Sequence, residues 1–327
     1  MGKLPGFRQG LCDTMKTPRT LRLRRGPRLF AVLPTVLTLG NVVCGFGALT
    51  FAAKVGIEKT GWGGDDVGCL FIAALLIFAA MLFDMLDGRA ARWAKQSSQF
   101  GAELDSLCDA VSFGVAPAFM LIKFCALPYD GPSVHPRVLW GIAVLYVICA
   151  ILRLARFNVE TEEDDSHNFF SGLPSPAAAG AVVSFLVAYP LLASLAMPPA
   201  ADADWWDRTG HSLMSWGAPA LRLVLPMVTL GCACLMVSRI RYSHFFNRYF
   251  RGRKSYAHVL LVVLGIVVGL MVRELALPLI FCGFAFSSPV RALFDWLRGA
   301  PPVTPPAAPQ TKESAEAPQL HKLPPAQ

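Results

Sequence analysis

Four aspartates with the spacing of helical neighbours lie where two long apolar segments of the chain meet. Asp84 and Asp87 are three residues apart at the end of the first segment, and Asp105 and Asp109 are four apart at the start of the next. Both spacings place the two side chains on one face of an α-helix. A charged side chain at the centre of a membrane helix costs about 2.5–3.5 kcal/mol to insert. We therefore expect a divalent cation, which prefers oxygen ligands, to neutralise the group.

The residues around the aspartates suit a bound phosphate compound. Gly88 and Gly101 lack side chains, so a ligand or a neighbouring backbone can come close. Arg92 offers a planar guanidinium that matches phosphate oxygens. If the two segments form a helical hairpin, the four carboxylates converge. Such a site suits phosphoryl or phosphatidyl transfer with two cations about 3.5–4 Å apart. Helix-end charges that face an aqueous loop are the alternative.

The composition indicates a polytopic membrane protein and argues against several other classes. Of 327 residues, 54% are hydrophobic, and several stretches reach the roughly 20 apolar residues that a membrane span requires. The net charge of +8 suits an anionic membrane surface. Nucleic-acid binding is not expected, because the basic residues flank apolar spans without a binding motif. The nine cysteines form no CxxC pair with histidine partners, so neither a zinc site nor a disulfide is expected.

The apolar segments predict an all-α, polytopic membrane bundle of about eight transmembrane helices. Their approximate ranges are 29–53, 69–90, 102–127, 137–157, 175–197, 216–238, 257–272 and 275–293. The first is long enough to span and starts too late for a cleavable signal, so we expect it to be retained. Only Arg273 and Glu274 separate the last two segments, and one bent span with an interfacial helix is the alternative.

Three regions follow from this pattern. Residues 1–28 form a basic arm, residues 29–293 form the transmembrane domain, which we expect to be catalytic, and residues 299–327 form a Pro/Ala-rich tail expected to be disordered. With eight spans, the arm, the aspartate loop, the loop after the sixth span and the tail lie on one side. That side holds nearly all the loop arginines and lysines, so the positive-inside rule places the aspartates at the cytosolic boundary.

Two polar residues of the first span lie at the expected depth of the aspartates. Thr38 and Asn41 are three residues apart, among small residues that favour close helix packing. Helix packing and contact with a ligand are both open for this pair.

Further polar positions follow on the fourth and fifth spans. Arg153 and Arg156 share a helix face, and they either anchor the span at the membrane surface or clamp an anion. Ser175, before Pro176, is a candidate N-cap of the fifth span, and the free N–H groups of such a helix start attract anions. The acidic segment 160–165 between these spans is expected to be a solvated connecting loop.

Eight of these residues fit the signature D-x2-D-G-x2-A-R-x8-G-x3-D-x3-D without departure. They are Asp84, Asp87, Gly88, Ala91, Arg92, Gly101, Asp105 and Asp109. The chain thereby resembles the CDP-alcohol phosphatidyltransferases over roughly residues 30–290, and it is expected to have their fold. The first-span segment 33–46, the R-L-A-R-F-N at 153–158 and the G-L-P-S-P-A-A-A-G at 172–180 resemble the bacterial phosphatidylserine synthases within that family.

The resemblance implies a reaction and a set of roles. CDP-diacylglycerol would bind with its diphosphate on two divalent cations, Mg²⁺ or Mn²⁺, held by the four aspartates. Asp109 would also be the general base for the L-serine hydroxyl, which attacks the lipid-side phosphorus to give phosphatidylserine and CMP. CDP-lipid contacts are expected from Gly88, Ala91, Arg92, Gly101, Thr38 and Asn41, and acceptor contacts from Arg153, Arg156, Asn158 and Ser175. We expect a homodimer in the bacterial cytoplasmic (inner) membrane, with its active site facing the cytosol.

Three other interpretations are considered. The same chemistry could use another alcohol, such as glycerol phosphate, inositol phosphate or choline. A transporter could use the acids as an ion site, but transporters often carry internal repeats, and no second D-x2-D-G follows residue 110. A scaffold protein with vestigial aspartates is the third possibility.

Overall fold

The structure is a computed structural model that describes Gly2 and residues 28–56, 65–94, 99–128, 133–163, 172–196, 217–238 and 273–298. Its helices are α1 Arg28–Ala53, α2 Asp66–Ala94, α3 Gln99–Asp109, α4 Ala116–Cys125, α5 Pro136–Glu163, α6 Ser175–Ala196, α7 Gly217–Val237 and α8 Arg273–Leu297. A six-residue π-helical turn, Ala110–Val115, joins α3 to α4. No strand occurs in these ranges, so the predicted all-α class is confirmed.

Six helical segments in the described ranges are long and apolar enough to cross a membrane. They are Leu33–Ala53, Asp66–Ala90, Phe100–Cys125, Pro136–Val159, Ser175–Ser194 and Pro219–Val237, and a shorter apolar segment, Leu275–Arg291, lies within α8. The chain is therefore an integral membrane protein with a helical core. The expected span at 257–272, residues 3–27 of the arm and the tail 299–327 lie outside the described residues, and the count of eight stays a prediction.

One expected loop is helical for part of its length. Helix α5 runs to Glu163, so Glu160, Glu162 and Glu163 belong to the helix rather than to a connecting loop. The segment after Asn158 contains neither glycine nor proline, and glutamate is a good helix former, so nothing local ends the helix there. The other acidic residues of that segment, at 164 and 165, lie outside the described residues.

Helix α6 lies at the centre of the bundle and contacts α2, α4, α7 and α8. Its small and β-branched residues from Ala178 to Ser184 are all buried, which allows neighbouring helices to approach on several sides. A side chain at Gly180 would overlap the ring of Phe281 on α8. The central position of α6 means that its first residues can reach the site that α2 and α3 form.

At the end of the bundle away from the aspartates, two cationic side chains cap helix ends. Lys123 Nζ donates to the carbonyls of Ala53 and Val55 at 3.4 and 3.1 Å. Arg222, only 4% exposed, donates from Nη1 to the Leu127 carbonyl at 2.8 Å. The last carbonyls of a helix have no partner within it. These bonds satisfy carbonyls at or just after the ends of α1 and α4 and join those ends to α4 and α7.

The chain enters α6 through a glycine that touches the end of α7. Gly172 has φ of +86°, and a Cβ there would lie 2.5 Å from the Met236 carbonyl oxygen. The next N–H, of Leu173, donates to the Leu235 carbonyl at 3.1 Å. Both the left-handed backbone and the close approach require glycine. This contact fixes the position of Ser175, three residues later.

Replacing Gly172 with alanine should destabilise the fold more than the same change at Gly56. Both glycines have positive φ (+86° and +80°), and alanine in that conformation costs about 1–2 kcal/mol. A Cβ at Gly56 meets no described atom within 4 Å, whereas at Gly172 it overlaps backbone, which adds about 1–3 kcal/mol. The free energy of unfolding in detergent micelles measures the difference. Equal losses for the two variants would contradict the contact with α7.

Candidate active site

Three carboxylates from two helices converge where the C-terminal half of α2 meets α3. Asp84 lies on α2, and Asp105 and Asp109 lie on α3. One carboxylate oxygen from each residue lies within 4.8 Å of the other two. Asp109 is 7% exposed and is the most buried of the three. The two helices thus bring these side chains together as their three- and four-residue spacings predict.

Asp87, the fourth aspartate, adjoins this group from the next turn of α2. It is buried, and its carboxylate interacts with those of Asp105 and Asp84. It also interacts with Thr38 of α1, whose hydroxyl lies 3.0 Å from the Pro34 carbonyl. All four aspartates of the signature therefore belong to one electrostatic cluster, and Thr38 lies at its edge.

The cluster fits a divalent cation. Asp87 Oδ2 and Asp105 Oδ1 are buried and accept no hydrogen bond from the described residues. A buried carboxylate oxygen without a donor is costly, and neighbouring carboxylates repel one another. A cation relieves both costs, and carboxylate oxygens are the ligands that Mg²⁺ and Mn²⁺ prefer. Asp84, Asp105 and Asp109, with Asp87 beside them, are therefore suited to hold such an ion.

Helix α1 contributes an amide to the cluster. Asn41 is fully buried, and its Nδ2 donates to Asp109 Oδ1 at 2.8 Å. The hydroxyl of Ser112, in the π-helical turn, donates to the Asn41 carbonyl at 3.1 Å. Ser112 was not among the residues expected from the sequence, because a single serine in an apolar span has no periodic signal.

Arg153, one of the arginines on α5, interacts with the aspartates of the cluster. Its guanidinium is attracted to Asp84 and Asp109, donates to Ser175 Oγ at 2.9 Å and lies over the Phe157 ring at 5.4 Å. Arg156 is exposed. From the sequence, Arg153 and Arg156 had the same expected role, whereas the structure gives them different surroundings.

Ser175 differs from its expected role as a helix cap. The Ala178 N–H donates to the Pro174 carbonyl at 3.0 Å, so Pro174 occupies the N-cap position and Ser175 the first helical position. The buried hydroxyl of Ser175 therefore serves Arg153 rather than the free N–H groups of its own helix.

A second link joins α3 to α5 near the cluster. The hydroxyl of Ser106, which lies between Asp105 and Asp109 in sequence, is 3.0 Å from Asn158 Oδ1 and 3.1 Å from the Ala102 carbonyl. Asn158 was expected from the sequence to contact the acceptor alcohol, whereas Ser106 was not among the expected site residues. The pair connects the aspartate helix to the helix of Arg153.

The remaining signature residues lie on α2 and α3, the two helices that carry the aspartates. A Cβ at Gly88 would meet no described atom within 4 Å, so the space beside it is open in the part of the chain that is described. Gly101 lies in the first turn of α3 and is half-buried. Ala91 and Arg92 lie within α2, but their side chains are outside the described part of the structure.

The fold and the carboxylate hairpin define a class of membrane protein. The CDP-alcohol phosphatidyltransferase family matches residues 31–206, which is more than half of the chain. The chain belongs to this family, as its signature predicted.

Several curated relatives carry one name, CDP-diacylglycerol–serine O-phosphatidyltransferase. The Mycobacterium tuberculosis (strain H37Rv) protein is 34% identical over 60% of this chain and 59% of its own length. The proteins of Helicobacter pylori (strain 26695) and Bacillus subtilis (strain 168) are each 30% identical over 65% of this chain, and the match covers 73% and 90% of their own lengths. The chain thus spans about three fifths of the mycobacterial relative and most of the other two.

Replacing Asp105 with asparagine should change stability in opposite directions with and without a cation. In chelator the variant loses a repelling charge, so its unfolding temperature should rise. In the parent protein, Mn²⁺ at about a hundredfold excess over its Kd should stabilise the fold by about 2.7 kcal/mol, and this gain should be lost in the variant. Scanning fluorimetry in detergent measures both effects.

Glu103→Gln is the matched control for this experiment, since Glu103 is an exposed carboxylate on the same helix. It should behave like the parent protein in chelator and in Mn²⁺. Equal stabilisation of Asp105→Asn and the parent by Mn²⁺ would contradict a cation site at this cluster.

Proposed function

We propose that the chain transfers the phosphatidyl group of CDP-diacylglycerol to the hydroxyl of L-serine, giving phosphatidylserine and CMP. The observation that carries this proposal is the convergence of Asp84, Asp105 and Asp109 beside Arg153, in a chain that belongs to the CDP-alcohol phosphatidyltransferase family. The shared name of the curated relatives supports serine as the acceptor.

The lipid substrate is expected on the open side of the hairpin. The four aspartates would hold two cations, Mg²⁺ or Mn²⁺, which when bound neutralise the diphosphate and stabilise charge on the attacking and leaving oxygens. The space beside Gly88 leaves room for the diphosphate. Contacts from Ala91, Arg92, Gly101 and Thr38 to the CDP-lipid remain part of the proposal.

The acceptor is expected on the α5 side. Serine carries one carboxylate, and Arg153 offers one guanidinium whose orientation is set by Ser175 and Phe157. A charge-assisted pair between them would hold the hydroxyl of serine toward Asp109. Asn158 lies on the same helix and supplies a further polar contact. Arg156, being exposed, is the less suitable of the two arginines.

The reaction needs one base and one leaving group. Asp109 takes the proton of the serine hydroxyl, and the serine oxygen forms a bond to the lipid-side phosphorus. The bond between that phosphorus and the oxygen that bridges the two phosphates breaks, and CMP leaves with the bond electrons. We place this site at the cytosolic face of the bacterial cytoplasmic membrane, where the positive-inside rule orients it. Assembly as a homodimer stays a prediction.

Acceptor-dependent release of CMP tests the proposal. Purified protein with CDP-diacylglycerol and Mg²⁺ or Mn²⁺ should release CMP and form phosphatidylserine when serine is added, and Asp109→Asn should lose nearly all of this activity. Lipid product from glycerol phosphate, inositol phosphate or choline, with none from serine, would refute the serine assignment while retaining the transfer chemistry. Undiminished activity of Asp109→Asn would refute its role as base.

Replacing Arg153 with glutamine should raise the KM for serine and leave the KM for CDP-diacylglycerol nearly unchanged. A hydrogen bond to a charged group contributes about 1.5–3 kcal/mol, which corresponds to roughly a 10- to 150-fold higher KM. Arg156→Gln is the matched control on the same helix, and its kinetics should change little. If Arg156→Gln raises the KM for serine and Arg153→Gln does not, the assignment of the carboxylate partner is wrong.

A further inference from the structure

The amide of Asn41 holds one oxygen of Asp109, and its burial argues against direct contact with a substrate. Asn41 has no exposed surface, and its Nδ2 donates to Asp109 Oδ1 at 2.8 Å. Its own Oδ1 is buried and accepts no hydrogen bond from the described residues. An unpaired buried acceptor is costly, and an apolar residue would avoid that cost if packing were the only role of this position. The bond to Asp109 is therefore the feature that asparagine provides here.

The backbone of Asn41 is itself fixed to the segment that follows Asp109. Ser112 donates to the Asn41 carbonyl at 3.1 Å. One helical turn further on, a Cβ at Gly45 would lie 2.8 Å from Ser112 Cα, so α1 and the π-helical turn meet backbone to backbone. We call Asn41, Gly45 and Ser112 the α1 seam. Asp109 directly precedes the π-helical turn. The α1 seam therefore holds both the carboxylate of Asp109 and the backbone segment that follows it.

We propose that Asn41 is a positioning residue for Asp109. It engages Oδ1 and thereby leaves the other carboxylate oxygen to receive the proton of the acceptor hydroxyl. This inference rests on the proposed function, in which Asp109 is the base. It differs from a role of Asn41 in CDP-lipid binding, because here the amide donates to Asp109 rather than to a ligand.

Kinetics separate the roles that Asn41 can have. Asn41→Leu keeps the size of the side chain and removes the donor. Loss of such an orienting hydrogen bond typically lowers activity about 10- to 100-fold. We expect this loss in kcat, per folded molecule, with the KM values for serine and for CDP-diacylglycerol nearly unchanged. A raised KM for the lipid with an unchanged kcat would instead make Asn41 a substrate contact and overturn the proposal.

A second variant leaves both Asn41 and Asp109 in place. Ser112→Ala removes the bond to the Asn41 carbonyl, and we expect a smaller decrease in kcat, again without a change in either KM. Ser184→Ala is the matched control, because Ser184 is also fully buried and its hydroxyl donates to a carbonyl of its own helix, Ala181, at 3.0 Å. Equal kcat in Ser112→Ala, Ser184→Ala and the parent protein would overturn the proposal even if Asn41→Leu fails to fold.

The same assay distinguishes failure of this inference from failure of the proposed function. A parent protein that releases CMP with serine, together with seam variants of unchanged kcat, refutes the positioning role alone. If the parent protein uses another alcohol, the kcat comparison is made with that alcohol, since its hydroxyl also gives up a proton. A parent protein inactive with every alcohol refutes both.

Discussion

The structure depends on the crowding of negative charge within an apolar helical bundle. Four carboxylates meet at the junction of α2 and α3, and at least two of their oxygens are buried without a donor in the described structure. Crowded, partly buried carboxylates repel one another, and nearby positive charge relieves that repulsion. Partial relief comes from Arg153, and the remainder is consistent with a divalent cation held by the cluster.

Two further cationic side chains of the described residues lie at the opposite end of the bundle. Lys123 and Arg222 donate to helix-terminal carbonyls there and join α1, α4 and α7. Those bonds satisfy backbone groups that would otherwise be unpaired in a membrane. Near the aspartates, by contrast, buried carboxylate oxygens of the described residues have no hydrogen-bond donor. Within the described structure, one end of the bundle is therefore closed by internal hydrogen bonds, and the other has carboxylate oxygens that a charged ligand can engage.

The sequence was sufficient to predict the aspartate hairpin but not the residues that hold its side chains in place. Aspartates three and four residues apart on adjoining spans converge because helix geometry is local and regular. The roles of Arg153 and Arg156 could not be separated, since the spacing puts both on one face and the difference arises from Ser175 on another helix. Ser112 and Ser106 were missed because a single hydroxyl in an apolar span has no periodic signal. Pro174, rather than Ser175, became the N-cap because the docking of Gly172 on α7 decides where α6 starts.

The two sides of the cluster are supported by different parts of the chain. Asn41 on α1 holds Asp109, whereas Arg153 is held by Ser175, whose position follows from the contact of Gly172 with the end of α7. These supports share no residue, so a change in one should act on the other through the aspartates or through the packing of α5 on the π-helical turn, where the Tyr146 hydroxyl donates to the Phe113 carbonyl. Asn41 supports Asp109, the group proposed to take the proton. Ser175 supports Arg153, the group proposed to bind the alcohol substrate. The arrangement therefore allows the rate of the chemical step and the affinity for the alcohol to vary independently.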